Sequence, residues 1–204
     1  MVYFLLHPHW SYCRVIELAE VTSMTVMEKA LRLARGKWQR RMVRTGYDRL
    51  RGAAKHYYCG SYYQSLENLA KRLQDAGIPA RIFMPERGRF YFIYGENWVR
   101  LFDSARKFQD ELIGVRENLN TLVNQNPQLR KTLSSQHVFA TLRSLSSKAF
   151  YAVWEIAADF TDWLETADEE RKERIWHEAQ ERLENLKKEF RDFVSRTRLS
   201  VVFL

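Results

Sequence analysis

The 204 residues of this chain are 46% hydrophobic and 14% aromatic, which excludes an intrinsically disordered protein and allows a sizeable core. The net charge of +8 lies in the first half, because residues 1–102 carry 17 basic and 8 acidic side chains whereas residues 103–204 carry 16 and 17. Two cysteines exclude a disulfide framework, and no apolar run approaches the roughly 18 residues of a membrane span. We therefore expect reduced thiols, a cytoplasmic location, no membrane partner, and an anionic partner for the first half.

The first predicted element is a strand. Residues 2–6 are β-branched and aromatic-rich, and Pro8 follows them, as is typical of a short strand that stops at a proline. Residues 10–21 fit no single pattern and contain one candidate helix at 15–20.

A strongly basic stretch follows at residues 29–55, with ten lysines and arginines against one acid, Asp48. Thr25 and Glu28 have the spacing of a capping box, so a helix should begin there. Apolar residues then recur at steps of three and four through residue 57, which predicts one helical stripe. We expect a bend or break in it near Gly46, because glycine costs a helix about 1 kcal/mol relative to alanine.

The next predicted elements are a shorter helix and a β-hairpin. Cys59 and Gly60 predict the end of a helix. Residues 61–64 form a second capping box, which predicts that another helix begins there and ends at Gly77 and Pro79. Residues 80–84 and 90–94 are apolar, aromatic runs on either side of a glycine-bearing loop, which predicts a hairpin.

Three long helices are predicted in the second half. Apolar residues follow heptad spacing over residues 98–122 and again over 138–163. A third capping box at 166–169 begins a helix whose apolar residues follow similar spacing to residue 193. We call each of these three apolar series a heptad seam. We expect residues 129–133 to form a separate turn between the first two of these helices. Short connections should make neighbouring helices antiparallel, and residues 199–204 read as a final strand. The first strand, the two strands of the hairpin and this last strand could together form a four-stranded sheet.

The predicted fold class is mainly α, within α+β: a long antiparallel helical bundle with a small β-sheet or hairpin near the N-terminal half. We divide the chain into a basic α/β region at residues 1–96, with its hairpin at 80–95, and a helical bundle at 97–204 that ends in a short strand.

The basic stretch predicts a non-enzymatic nucleic-acid-binding protein, DNA or RNA, that is a subunit of a nucleoprotein assembly. Arginine makes bidentate phosphate contacts, and interleaved aromatic side chains can stack on bases. The candidate contacts are Arg32, Lys37, Trp38, Arg40, Arg41, Arg44, Arg51, Lys55, Arg87 and Arg89. The competing interpretation is a solvated face neutralised by the last helix, whose carboxylates are Asp168, Glu169, Glu170, Glu173, Glu178, Glu181, Glu184 and Glu189.

The hairpin offers a second possible nucleic-acid surface. Residues 87–94 have a loose likeness to the RNA-recognition consensus, in which aromatic residues alternate on a strand, although Arg89 and Phe90 depart from it. Either one face of this strand stacks on bases, or both faces are buried in the core; composition favours the buried arrangement.

Two other functions are compatible with the sequence. The first is a protein–protein scaffold whose basic face meets an acidic partner, with further partners or self-association through the helical bundle. The second is a metal-dependent nickase in which His7 and His9 bind the metal and a tyrosine (Tyr57, Tyr58, Tyr62 or Tyr63) is the nucleophile, but Pro8 departs from that plan. Cys13, His56 and Cys59 could alternatively complete a zinc site, but no close pair of them has zinc-finger spacing, and we expect no cofactor.

Overall fold

The computed structural model describes residues 26–45, 47–49, 54–86, 89–135 and 137–197. These residues form seven helices and three strands, which confirms a mainly α fold with a small antiparallel sheet. The predicted strands at 2–6 and 199–204 and the candidate helix at 15–20 lie outside the described residues. The elements are α1 (Val26–Leu33), α2 (Gly36–Thr45), β1 (Tyr47–Arg49), α3 (Ala54–Asp75), β2 (Ala80–Glu86), β3 (Arg89–Tyr94), α4 (Glu96–Gln125), α5 (Pro127–Ser135), α6 (Val138–Glu165) and α7 (Glu169–Thr197).

The described residues divide into two compact units. The first, here called the sheet unit, contains the described residues up to Arg100 together with Ala157–Ile175. The second, the helical unit, contains Leu101–Ile156 and the described residues from Trp176 onward. Helices α4, α6 and α7 therefore contribute residues to both units. The division between residues 96 and 97 that the sequence suggests stays a prediction.

The sheet has the order β1-β3-β2, and both pairings are antiparallel. The predicted hairpin of β2 and β3 is confirmed, with Ala80 opposite Tyr94 and Ile82 opposite Phe92. The central strand is buried on both faces, since every residue from Phe90 to Tyr94 is at most 6% exposed. Each buried aromatic side chain of this kind stabilises the fold by roughly 1.5–3 kcal/mol relative to an exposed one.

One predicted helix is wrong at residues 47–49. These residues form β1, which pairs with β3 so that Tyr47 lies opposite Tyr91. The chain also leaves the helical conformation earlier than expected, between Leu33 and Gly36, where Gly36 has a φ of 78°. Glycine adopts this left-handed conformation without the steric cost that other residues meet, so the break falls at Gly36. α2 then ends at Thr45, next to the expected break at Gly46.

The predicted helix stop at Cys59 and Gly60 is also wrong, because α3 runs without interruption from Ala54 to Asp75. A glycine inside a helix costs about 1 kcal/mol, which the packing of a long helix outweighs. The predicted stop at Gly77 is confirmed. The Gly77 amide donates to the Gln74 carbonyl at 2.9 Å and the Ile78 amide to the Leu73 carbonyl at 2.8 Å, the two bonds of a Schellman motif.

The heptad seams predicted α4, α6 and α7 with bounds close to the observed ones, and α5 confirms the separate turn between the first two. α5 begins with Pro127, whose missing amide is harmless at the first helical position, and the Asn126 side chain accepts from the Leu129 amide at 3.3 Å. The third capping box is misplaced by two residues. The Asp168 carboxylate, and not Thr166, accepts from the Glu170 and Arg171 amides at 3.0 and 3.3 Å.

Side-chain pairs give the helix directions inside the helical unit. Lys148 pairs with Glu189 and Glu155 with Arg182, so α6 and α7 are antiparallel, as their short connection predicts. Phe108 of α4 packs edge-to-face on Phe190 of α7 with ring centroids 5.8 Å apart. The buried positions of α7 are Ala179, Leu183, Leu186 and Phe193.

Candidate nucleic-acid interface

The candidate interface is built on α2, which carries four of the predicted contact residues besides Trp38. Arg40 is half-buried and Arg44 is exposed. Lys37 and Arg41 lie in the same helix. Lys37 is one helical turn before Arg41, and Arg41 is one helical turn before Arg44. The side chains of Lys37 and Arg41 are outside what the structure describes. We call Arg40 and Arg44, with these two neighbouring positions, the cationic face of α2.

A buried glutamine fixes the middle of α2 to α3. Gln39 is 5% exposed, and its Nε2 donates to the main-chain carbonyl of Ser65 at 3.0 Å and to the Ser65 hydroxyl at 2.9 Å. Its Oε1 accepts from the Arg35 amide at 2.6 Å and from Arg72 Nη2 at 2.9 Å. Because both ends of the amide are satisfied, Gln39 can be buried without the penalty of an unpaired polar group.

Arg72 joins the same network from α3. Its Nε donates to the Leu33 carbonyl at 3.2 Å, and that carbonyl lies at the end of α1, where no intrahelical donor remains for it. A cation at a helix C-terminus also interacts favourably with the helix dipole. Burial, and to a lesser extent the nearby charge of Arg35, lower the pKa of Arg72 below its usual value. Arg72 is therefore a structural cation that holds α1, α2 and α3 together.

A buried tyrosine fixes the end of α2 to the sheet. The Tyr94 hydroxyl donates to the main-chain carbonyl of Val43 at 2.7 Å. The Val43 carbonyl belongs to the last turn of α2, whose carbonyls lack intrahelical donors. The Tyr94 ring packs edge-to-face on Phe160 with centroids 5.3 Å apart. Gln39 and Val43 are one helical turn apart, so the same side of α2 faces the protein interior at both attachments.

Arg40 and Arg44, next to this anchored side, have no carboxylate partner among the residues that the structure describes. Carboxylates of α7 pair instead with lysines elsewhere: Glu169 with Lys172, Glu184 with Lys187, and Glu189 with Lys148. Neutralisation of the basic stretch by the last helix therefore stays an alternative interpretation.

The other predicted contacts are distributed more widely. Arg32 lies in α1, half-buried and already engaged with another group. Lys55 lies in the first turn of α3, and Arg89 begins β3, opposite Arg49; the side chains of both are outside the described set. Arg51 and Arg87 are outside the described residues altogether, and the Trp38 side chain is likewise not described.

The stacking platform considered for β3 is contradicted by its burial. Phe90, Phe92 and Tyr94 on one face, and Tyr91 and Ile93 on the other, are all buried. An RNA-recognition strand must instead expose its aromatic rings to the bases. β1 and β2 pair with the two edges of β3, and other side chains cover its faces, such as Tyr63 against Phe90 and Phe160 against Tyr94.

Sequence reasoning missed the residues that orient α2. Gln39, Arg72 and Tyr94 carry no motif, and the partners through which they attach α2 to α3 and to the sheet lie 26 to 51 residues away along the chain. The one available signal was Gln39, a polar residue followed four positions later by the apolar Val43, where a simple helical stripe would place two apolar residues.

The described residues contain no group of three or more His, Cys, Asp and Glu side chains placed to hold a metal ion. His7, His9 and Cys13 lie outside them, and the nickase interpretation stays a prediction. Shallow grooves occur in the helical unit, one of about 470 Å³ between α6 and α7 and one of about 370 Å³ between α4 and α7. None of the described helices has the length and apolar character needed to cross a membrane.

Comparison with known proteins gives no match: no family model, no curated protein and no solved structure resembles this chain.

Proposed function

We propose that this chain is a non-enzymatic nucleic-acid-binding protein that contacts phosphates through the cationic face of α2. The observation that carries the proposal is the state of Arg40 and Arg44. They lie one helical turn apart on a helix anchored through Gln39 and Val43, and neither has a carboxylate partner within the described residues.

Part of the charge on α2 opposes folding, although Arg44, in the last turn, also interacts favourably with the helix dipole. Two like charges at positions i and i+4 destabilise a helix by roughly 0.2–0.5 kcal/mol, so Arg40 and Arg44 repel each other until an anion lies between them. The first turn of α2 contains no acidic residue that would offset this repulsion. A phosphodiester backbone supplies the missing negative charge, and guanidinium groups bind phosphate oxygens in a bidentate manner.

The anchoring of α2 favours binding as well. Because Gln39 is held by partly buried hydrogen bonds and the Val43 carbonyl by a buried one, the helix backbone that carries the arginines is already ordered before a ligand arrives. Pre-organisation reduces the entropy lost on binding to the side chains themselves. The excess of positive charge in the first half of the chain would further draw a polyanion toward this surface.

The proposed contact is to the backbone and not to base edges. Phosphate contacts give affinity and register without reading sequence, so DNA and RNA share the chemistry that α2 recognises. The buried aromatic residues of β3 offer no base-stacking surface. We also propose that the chain is a subunit of a nucleoprotein assembly. We propose the cytoplasm as its compartment because its two cysteines suit a reducing environment.

The direct test is neutralisation of the two arginines. Arg40→Gln with Arg44→Gln should weaken binding of labelled single-stranded and duplex oligonucleotides about tenfold or more, measured by fluorescence anisotropy at fixed salt. The matched control is Arg171→Gln with Arg174→Gln, which removes two exposed cations from the start of α7 in the same unit. The control should retain the affinity of the wild-type protein within about twofold, because it leaves Arg40 and Arg44 in place. Both variants have the same net charge, so a difference between them reports on α2 and not on total charge.

Two results would contradict the proposal. One is equal loss of affinity in both double variants, which would mean that net charge and not α2 determines binding. The other is absence of oligonucleotide binding by the wild-type protein together with capture of an acidic peptide that depends on Arg40 and Arg44. That second result would support an adaptor with an acidic protein partner.

A further inference from the structure

The surface formed by α6 and α7 in the helical unit carries an exposed aromatic residue between two ion pairs. Tyr151 is 56% exposed, more than any other large hydrophobic residue in the described part of the chain. On one side of it Lys148 pairs with Glu189 at 2.7 Å, and on the other Glu155 pairs with Arg182 at 3.1 Å. These residues line the groove of about 470 Å³.

On each helix of this surface a cation precedes an anion, and because α6 and α7 are antiparallel the two sequences of charge run in opposite directions in space. Along α6, the cation Lys148 and the anion Glu155 are seven residues apart, about 10 Å at the helical rise, and Tyr151 lies midway between them. Along α7, the cation Arg182 precedes the anion Glu189 by the same interval. A two-fold axis through Tyr151 and perpendicular to α6 would bring Lys148 of one copy opposite Glu155 of another, and the reverse pair would form at the same time.

We propose that this surface is a self-association interface, in which α6 of one copy packs antiparallel on α6 of a second copy. Tyr151 lies at the two-fold axis and packs on Tyr151 of the other copy. Each lysine at position 148 faces the glutamate at position 155 across the interface. This inference does not depend on the nucleic-acid proposal, because it concerns other residues and is measured without nucleic acid.

The chemistry favours a second copy over other occupants. The two carboxylates on the surface repel a polyanion, and the equal numbers of cations and anions give no reason for a strongly acidic or basic partner. A self-complementary pattern is what a two-fold interface requires of a single surface patch. Side chains of 45–55% exposure at Lys148, Glu155 and Glu189 still present charge that a facing helix can reach, whereas half-exposed pairs alone add little stability to a monomer.

The interface can be tested with variants that keep an ion pair between positions 148 and 189 and between positions 155 and 182. Variant A carries Lys148→Glu with Glu189→Lys, and variant B carries Glu155→Lys with Arg182→Glu. Each inverts one intrachain pair without breaking it, so both should fold. Across the two-fold axis, however, variant A places two glutamates opposite each other and variant B two lysines. A third variant, Lys107→Glu with Glu111→Lys, inverts an exposed pair on α4 and is the control.

Sedimentation velocity over a range of protein concentrations gives the readout. The wild-type protein and the α4 control should form a dimer, and variants A and B alone should each dimerise at least about tenfold more weakly, because like charges meet at the interface. An equimolar mixture of A and B should recover the heterodimer, since the glutamate at 148 in A then faces the lysine at 155 in B. Tyr151→Ala should weaken the wild-type dimer as well.

Three results would overturn the inference. A wild-type protein that stays monomeric at all concentrations excludes the interface. So does a mixture of A and B that associates no better than either variant alone, provided that circular dichroism shows both to be folded. A dimer that A, B and the α4 control form equally well would place self-association on another surface.

Discussion

The Tyr94 hydroxyl donates a 2.7 Å hydrogen bond to the main-chain carbonyl of Val43, 51 residues earlier in the chain. Both residues are buried, at 3% and 0% exposure. The bond joins the central strand of the sheet to the last turn of the helix that carries Arg40 and Arg44. A helix whose final carbonyls are satisfied from the core has a defined end and a defined orientation, so Tyr94 is a positioning residue for the proposed interface.

Removal of the Tyr94 hydroxyl should destabilise the protein. Tyr94→Phe keeps the ring on Phe160 and leaves the Val43 carbonyl buried without its donor, which costs about 1–3 kcal/mol of unfolding free energy. Urea unfolding followed by tryptophan fluorescence measures the loss. The matched control is Tyr63→Phe, at an exposed tyrosine, which should change stability by less than about 0.5 kcal/mol. Equal effects of the two substitutions would mean that the bond to Val43 contributes nothing.

The same residue makes stability depend on alkaline pH. Burial raises the pKa of Tyr94 well above its ordinary value near 10, because apolar surroundings disfavour the phenolate. The folded protein thus holds this proton more tightly than the unfolded chain, so the contribution is complete below about pH 10 and declines as pH rises through and beyond that value.

The Tyr94→Phe variant lacks this titration. The difference in unfolding free energy between the wild-type protein and Tyr94→Phe should therefore shrink by up to about 1.4 kcal/mol per pH unit above about pH 10. Urea unfolding at intervals from about pH 8 to about pH 11 measures it, and both proteins share all other titrating groups. A difference that stays constant over this interval would contradict burial of a neutral phenol at position 94.

The glutamine in α2 should behave as part of a network with Arg72. Gln39→Met keeps the size of the side chain but removes the acceptor of Arg72 Nη2 and of the Arg35 amide, so we expect a loss of about 1–3 kcal/mol. Gln64→Met, at an exposed position of α3, is the control. In a double-mutant cycle with Arg72→Met the two losses should be less than additive by about 0.5 kcal/mol or more, and strict additivity would show that the side chains act independently.

The start of α7 provides a test of the corrected helix cap. Asp168→Ala removes the acceptor of the Glu170 and Arg171 amides and should cost about 0.5–2 kcal/mol in thermal or urea unfolding. Thr166→Ala, at the residue that the sequence pattern favoured as the cap, should have a much smaller effect. A larger loss from Thr166→Ala than from Asp168→Ala would restore the predicted capping box.

Local patterns predicted the helices well and the tertiary contacts poorly. The seams of α4, α6 and α7 were visible because heptad spacing is a property of consecutive residues, and the Gly77 cap because glycine is the usual residue at that position. β1 was missed because Tyr47 becomes a strand residue only by pairing with Tyr91, a partner 44 positions away in the sequence. Gly60 was overvalued as a stop because its cost is small beside the packing of a long helix.

The candidate site was predicted only in part, because local patterns show composition but not tertiary contacts. The density of arginine between residues 29 and 55 is a composition signal, and it led to Arg40 and Arg44. Whether a carboxylate neutralises them depends on side chains distant in sequence, as does the anchoring of α2 by Ser65, Arg72 and Tyr94. No spacing rule along the chain contains that information.

The salt dependence of oligonucleotide binding tests the central claim most directly. If α2 binds phosphates, log K should fall linearly with log salt for the wild-type protein, because each neutralised phosphate releases condensed counterions. Arg40→Gln with Arg44→Gln should make that slope shallower by about two on duplex DNA and by about 1.4 on a single strand, one contact for each arginine. Affinity that is unchanged between low and moderate salt, or a slope that the two substitutions leave intact, would contradict the account.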